Sequence, residues 1–111
     1  MTVNYTTLSG ADANGSAIEG LGSVASKTTI HTGSATKVHT VWLTICNTDP
    51  STSAIVKGDV GASVDQLYWD IPAQGIVQVG PLSLVNTTLK LGSDDAGVAA
   101  INVAGVVMEE Q

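Results

Sequence analysis

The chain contains no arginine and no phenylalanine, and lysine accounts for only four of its 111 residues. Ten acidic residues stand against those four lysines, so the formal net charge at pH 7 is −6. Binding to nucleic acid depends on clusters of lysine and arginine that neutralise phosphates. The composition therefore predicts a protein that does not bind nucleic acid.

Aromatic residues are also scarce, since tryptophan and tyrosine contribute two residues each. A core must therefore be built from valine, isoleucine, leucine and alanine, with Trp42 or Trp69 as larger fillers. Branched aliphatic side chains pack well on the pleated surface of a sheet. A chain of this length corresponds to about one domain, so the sequence favours one compact core made of strands.

No long apolar run is present. The longest, from Val98 to Met108, is interrupted by Asn102 and falls far short of the roughly 20 residues that span a bilayer. The first eight residues lack the basic start and apolar run of a signal peptide. We therefore expect a protein that is made in the cytoplasm without Sec export and that is not inserted in a membrane.

Short strands separated by turns are predicted from residue 36 to residue 111. The clearest is Lys37 to Asn47, in which Val41, Leu43 and Ile45 alternate with outward-facing residues. Further strands are predicted over Ala54 to Val60, through Leu67, Trp69 and Ile71, over Gly75 to Val85 with a break at Gly80-Pro81, at Leu89 and Leu91, and over Val98 to Met108. Turn residues separate these segments, a pattern typical of an all-β fold. We predict a β-sandwich or jelly roll of about seven or eight short antiparallel strands.

Residues 1 to 35 have a different composition, in which glycine is mixed with serine, alanine and threonine. This composition predicts an extended N-terminal arm with little regular structure, followed by a β-sandwich domain over residues 36 to 111. Isolated apolar residues in such an arm cannot make a core but can lie on a neighbouring molecule. The arm therefore supplies five candidate interface residues: Val3, Tyr5, Leu8, Ile18 and Leu21.

Two aromatic residues on polar strand faces complete the candidate interface set. Trp42 lies on the threonine-rich face of its strand, and Tyr68 lies between Gln66 and Asp70. Aromatic residues in such settings are enriched at protein interfaces. For Trp42 the sequence is equally consistent with a role at an interface and with a second packed sheet that covers the ring.

Catalytic and metal-binding patterns are weak. His31 and His39 lack the tight spacing of metal ligands, so we expect two histidines near the surface. Cys46 is the only cysteine, which excludes an internal disulfide and favours a buried reduced thiol. His39 and Cys46 are separated by an odd number of residues on one strand and so face opposite sides, which disfavours a thiol nucleophile. We predict that the protein is not an enzyme and has no cofactor and no metal.

Four segments carry a resemblance to a known group of proteins. They are Val41 to Thr48, Asp65 to Pro72, Gly80 to Leu84 and Leu89 to Ser93. Over about Lys37 to Val107 the chain resembles small virion proteins of tailed bacteriophages, and the similarity lies in turn patterns. The resemblance implies a capsid decoration (cement) protein on the outer capsid surface, which self-associates as a dimer or trimer and bridges major capsid protein subunits.

Other roles remain open under the same resemblance. One is a tail, fibre or neck module, and another is a receptor-binding or carbohydrate-binding adhesin domain in which Trp42 and Tyr68 stack on sugar rings. If the arm lies across a neighbouring subunit, deletion of residues 1 to 35 is expected to abolish particle binding and to leave a folded core.

Overall fold

Two five-stranded sheets pack around one hydrophobic core in the computed structural model, which describes residues 3–11, 16–94 and 100–110. In chain order the strands are β1 (Val3–Thr6), β2 (Ile18–Glu19), β3 (Gly22–Ser23), β4 (Thr28–Thr32), β5 (Val38–Asn47), β6 (Ala54–Val60), β7 (Ser63–Ile71), β8 (Ile76–Leu84), β9 (Thr88–Ser93) and β10 (Ile101–Glu110). The predicted all-β sandwich is confirmed. Within the described ranges there is no helix of the length and apolarity that would cross a membrane.

The first sheet, sheet A, has the strand order β1-β10-β5-β8, and β2 also pairs with β10. The second, sheet B, has the order β3-β9-β6-β7, and β4 also pairs with β9. The strand pairs are antiparallel, apart from the short parallel pair of β3 with β9. The last predicted strand is central in sheet A, as its two apolar faces indicate, although its predicted first residue, Val98, lies outside the described residues.

Strand β5, an inner strand of sheet A, alternates strictly between half-buried and buried residues. Val41, Leu43 and Ile45 are buried, whereas the residues between them are half-buried on the other side of the strand. Antiparallel pairing sets Val103 of β10 opposite Ile45 and Val107 opposite Val41, so that both strands send aliphatic side chains to the same core. Period-two alternation is the pattern of a half-buried strand, and the prediction over Lys37 to Asn47 is confirmed.

All three prolines lie where a missing backbone donor does little harm. Pro50 lies in the turn after β5, Pro72 follows β7, and Pro81 lies on the edge strand β8, as the sequence predicts. The Gly80-Pro81 peptide is cis. Gly80 has φ of +128°, and a Cβ there would lie 2.8 Å from the carbonyl oxygen of Val41, so this crossing needs glycine.

The described parts of residues 1 to 35, which are 3–11 and 16–35, contribute strands to both sheets, which corrects the expectation of an arm with little regular structure. β1 pairs with β10 in sheet A, and β4 pairs with β9 in sheet B. Leu8, Leu21 and Ile30 lie in the common core. The strands here are two to five residues long, too short to show a period, and their partners lie far along the chain.

Candidate functional site

The outer face of sheet A carries most of the large apolar side chains that are exposed among the described residues. It consists of the side chains on β1, β10, β5 and β8 that point away from the core. Its central rows, read from the strand register, are Tyr5 with Met108 and Thr40, then Val106 with Trp42, then Ala104 with Thr44 and Gln78, with Ile76 beside Cys46 at one end. In contrast, the opposite faces of β10, β5 and β8 line the core.

The exposed large apolar side chains are concentrated on this face. Four of the seven large apolar side chains that are exposed among the described residues lie on it: Val3, Tyr5, Ile76 and Val106. Tyr5 is 69% exposed and Ile76 is 63% exposed. Contiguous exposed apolar surface on a soluble protein marks a site of interaction with another molecule.

The outer faces of the two sheets differ in the charged side chains that they carry. Lys57 and Lys90 point outward from sheet B, where Lys27 also contacts Asp59. The outer face of sheet A carries no lysine in the described residues, and its acidic side chains, Glu19 and Glu110, lie at opposite ends of β10. The centre of this face is therefore uncharged, although the whole chain has a net charge of −6.

A groove of about 520 Å³ crosses the centre of the outer face beside Trp42. Thr44, Gln78 and Val106 line it together with Gly80, where the absence of a side chain leaves the space open. Trp42 is half-buried as one wall of this groove. A second packed sheet does not cover the ring, because the two sheets of the sandwich meet at their other faces.

The structure distributes the remaining predicted interface residues differently. Leu8 is 2% exposed and Leu21 is 4% exposed, so both are core residues and the expectation that they lie on a neighbour is wrong. Ile18 is half-buried and packs against the same core. Tyr68 is exposed on the outer face of sheet B, opposite Lys57, and is separate from the apolar surface.

A buried chain of hydrogen bonds joins the two histidines, which corrects their expected position near the surface. The backbone N–H of Ser9 donates to Nδ1 of His31 at 3.0 Å. Nε2 of His31 lies 2.7 Å from Nδ1 of His39, and Nε2 of His39 lies 2.8 Å from Oε2 of Glu109. We call Ser9, His31, His39 and Glu109 the histidine chain; Lys37 contacts the other oxygen of Glu109 at 3.2 Å.

The donor and acceptor of each hydrogen bond in the series follow from the first donor, the backbone N–H of Ser9. A backbone N–H can only donate, so Nδ1 of His31 carries no proton and its neutral ring carries one on Nε2. That proton is donated to Nδ1 of His39, whose own proton is then on Nε2 and is donated to the carboxylate of Glu109. Every polar atom along this path is satisfied when both imidazoles are neutral.

The electrostatics of the histidine chain make the folded state sensitive to acid. Burial lowers the pKa of His31 below its ordinary value of 6.5, and the neighbouring His39 lowers it further. The hydrogen bonds from His39 and then from Lys37 lower the pKa of Glu109 below its ordinary 4.5. For both groups the unfolded chain binds protons more readily, so the stability they provide is present above these ordinary pKa values and is lost as the pH falls below them and through the lowered pKa values of the folded state.

Catalytic arrangements are not formed by the predicted candidates. Cys46 points outward from sheet A whereas His39 is buried on the inner side, as the spacing predicts, and the thiol is half-buried rather than buried. Within the described residues no group of three or more acidic, histidine or cysteine side chains is arranged to hold a metal ion. Glu109 and Lys37 were not found from the sequence, because only the pairing of β10 with β5 brings them to the histidines.

Lys27 lies at the centre of a second charge cluster, whose acidic members are partly exposed. Its side chain is 5% exposed, and Nζ lies 2.8 Å from Asp65 and 3.1 Å from Asp59. The hydrogen bond that Lys27 donates to Asp65 is the largest of the effects that raise the pKa of Lys27. Asp59 also accepts the backbone N–H of Asp65 at 2.8 Å. These contacts hold the turn before β4 against the hairpin of β6 and β7, which is a structural role.

No protein-family model, curated protein or solved structure matches the chain. The functional argument therefore depends on the geometry of the two sheets and on the chemistry of their outer faces.

Proposed function

We propose that this protein is a structural, non-enzymatic module that self-associates through the outer face of sheet A. The observation that carries the proposal is the uncharged apolar surface around Trp42 and Val106, with Tyr5 and Ile76 exposed on either side of it. Burial of such a surface is the main source of favourable free energy in protein association. A second copy of the same face is its partner.

The size of the surface supports this partner. Strands β10, β5 and β8, with nine or ten residues each, and the four-residue strand β1 give a flat area of about 500 Å² per copy at the usual strand spacing and rise. Two such faces together bury about 1,000 Å², the lower bound for a specific interface. Sheets pack face to face at a separation of about 10 Å, so two copies can meet as the layers within each sandwich do.

The charge distribution also favours a second copy. A charged partner surface placed on Trp42, Val106 and Ala104 would be desolvated without an opposite charge to pair with, which is costly. The same face of another copy brings no charge to the centre. A two-fold axis makes each patch meet its own equivalent, so self-complementarity is the requirement for such a dimer. Glu19 and Glu110 stay at the rim, where water can solvate them.

The particular role that the phage-like turn patterns suggest is capsid decoration. A dimer carries every further binding site twice, and one dimer can therefore hold two neighbouring subunits of the major capsid protein. The acidic, arginine-free composition suits the outer surface of a virion rather than contact with packaged nucleic acid. In this role the module strengthens the shell mechanically and needs no active site.

Sedimentation with capsid shells tests that role. We expect the wild-type protein to pellet with empty shells of the major capsid protein from the same genome and to raise their disruption temperature. A variant with Val106→Lys is expected to bind at least about tenfold more weakly, because bivalent attachment is lost. Wild-type protein that stays in the supernatant with such shells would contradict the decoration role.

A carbohydrate-binding role is the second candidate, and the groove beside Trp42 favours it. An indole ring next to the polar side chains of Thr44 and Gln78 provides both an aromatic surface for stacking and hydrogen-bonding groups. A glycan array with wild-type protein and the Trp42→Ala variant separates the two roles. Specific binding that depends on Trp42 would support an adhesin domain, whereas binding to no glycan would favour the structural module.

A further inference from the structure

Only one arrangement of protons satisfies all three hydrogen bonds of the histidine chain. Ser9 N–H donates to His31, His31 donates to His39, and His39 donates to Glu109. If one proton is added while the His–His and His–Glu hydrogen bonds are kept, only one ring nitrogen without a proton remains outside those two bonds. That atom is Nδ1 of His31, which accepts the hydrogen bond from the N–H of Ser9.

An added proton on either ring therefore breaks the contact with Ser9, provided that the His–His and His–Glu hydrogen bonds persist. If it binds His31, Nδ1 becomes a donor that faces a second donor. If it binds His39, Nδ1 of that ring becomes a donor, Nε2 of His31 must accept, and the proton of the His31 ring moves to Nδ1. Two N–H groups that point at each other cannot form a hydrogen bond, so Ser9 is released in both cases.

We propose that the histidine chain is a proton-operated latch: uptake of one proton by the His31–His39 pair releases Ser9 and loosens the attached strand β1. β1 is a four-residue edge strand held by its pairing with β10, in which Asn4 lies opposite Glu109. It carries Val3 and Tyr5 of the outer face of sheet A. The further consequence, that acid weakens self-association, depends on the proposed function.

Few charged side chains other than those of the histidine chain itself lie near the two imidazole rings. Among the described residues, His31 comes from β4, His39 from β5, Glu109 from β10, and Lys37 precedes β5. The neighbouring β8 presents Leu84 opposite His39, and β1 has no acidic or basic side chain. Lys90 of β9 and Glu110 of β10 point outward from their sheets. The net effect of Lys37 is to keep Glu109 ionised as the acceptor at the far end.

The segment that carries Ser9 has other attachments to β4, and these define what the latch must overcome. Oγ of Ser9 accepts the N–H of Thr32 at 2.7 Å, and the N–H of Gly10 donates to the carbonyl of Ile30 at 2.9 Å. Release of the Ser9 N–H removes one of three hydrogen bonds and leaves a charge on a buried ring pair. Local opening is thus expected without global unfolding.

Hydrogen exchange of the backbone amides tests the latch directly. After correction for the intrinsic pH dependence of exchange, protection of the Ser9 amide is expected to fall about fivefold or more between pH 7.5 and pH 5. Amides in the centre of β5 should keep their protection. Protection at Ser9 that is equal at the two pH values would overturn the proposal.

Two variants provide the matched comparison. A double variant with His31→Asn and His39→Gln has no imidazole to titrate, while its amides can still accept from Ser9 and donate to Glu109. We expect it to lose the pH step at Ser9. The control, Glu110→Gln, changes the adjacent acid that points outward and should keep the step. A step that persists in the double variant would overturn the proposal.

Imidazole ¹⁵N chemical shifts of the wild-type protein test it without any substitution. At pH 7.5 the hydrogen bonds predict a proton on Nε2 of each ring and no proton on Nδ1 of His31. A proton on Nδ1 of His31 at that pH, or a charged ring, would contradict the latch. Both measurements report on single sites in whatever oligomeric state the protein has, so a monomeric protein would refute the proposed interface and leave the test of the latch intact.

Discussion

Replacement of Leu8 by alanine is expected to lower the free energy of unfolding by about 3 kcal/mol. Leu8 is 2% exposed and packs in the common core, although it lies in the glycine-rich first third of the chain. Truncation removes buried apolar atoms and leaves a cavity that neighbouring strands fill only in part. Urea unfolding followed by tryptophan fluorescence measures the change.

The control for this substitution is Val64→Ala, which truncates a valine that is 70% exposed and is expected to change stability by less than about 0.5 kcal/mol. If Leu8→Ala were equally neutral, the segment would be an independent arm after all. The same packing reverses the expectation that residues 1 to 35 can be deleted, because Leu21 and Ile30 belong to the same core. Such a deletion is expected to leave the chain unfolded.

Replacement of Val106 by lysine is expected to weaken self-association about 100-fold. Val106 lies opposite Trp42 at the centre of the outer face of sheet A, where the described surface offers no nearby acid. In a two-fold dimer the substitution places two unpaired charges in the interface, which costs about 3 kcal/mol, and each 1.4 kcal/mol is a factor of ten in affinity. Sedimentation velocity over a dilution series measures the loss.

A matched control introduces the same charge elsewhere. Val64→Lys lies at the start of β7 in sheet B, away from the proposed interface, and is expected to associate as the wild-type protein does. Val106 is 40% exposed, so lysine there should leave the unfolding temperature of the monomer nearly unchanged. Equal association of the Val106→Lys variant and the wild-type protein would exclude this face as the interface.

Alternation in the sequence was sufficient to predict the strands that form the centre of the fold. In β5 it also assigned Val41, Leu43 and Ile45 to one face and Trp42 to the other, but it left open whether a second sheet covers Trp42. The strands β2 and β3 have two residues each, so they carry no period at all. They exist because the distant strands β10 and β9 offer them a hydrogen-bonding edge, and a local pattern does not contain that information.

The histidine chain was missed for a related reason. His39 shares its parity with Val41, so its inward direction could have been read from the same alternation. What the alternation could not show is that His31 of β4 and Glu109 of β10 meet it there. The pairing of β10 with β5 brings Glu109 to His39 within sheet A, and the packing of the two sheets brings His31 of sheet B to His39.

The proposed self-association through the outer face of sheet A is tested most directly by the solution mass of the wild-type protein. Light scattering at neutral pH, over protein concentrations from micromolar to millimolar, should give twice the mass of one chain at the upper end of the range. A mass of one chain at every concentration would contradict the account.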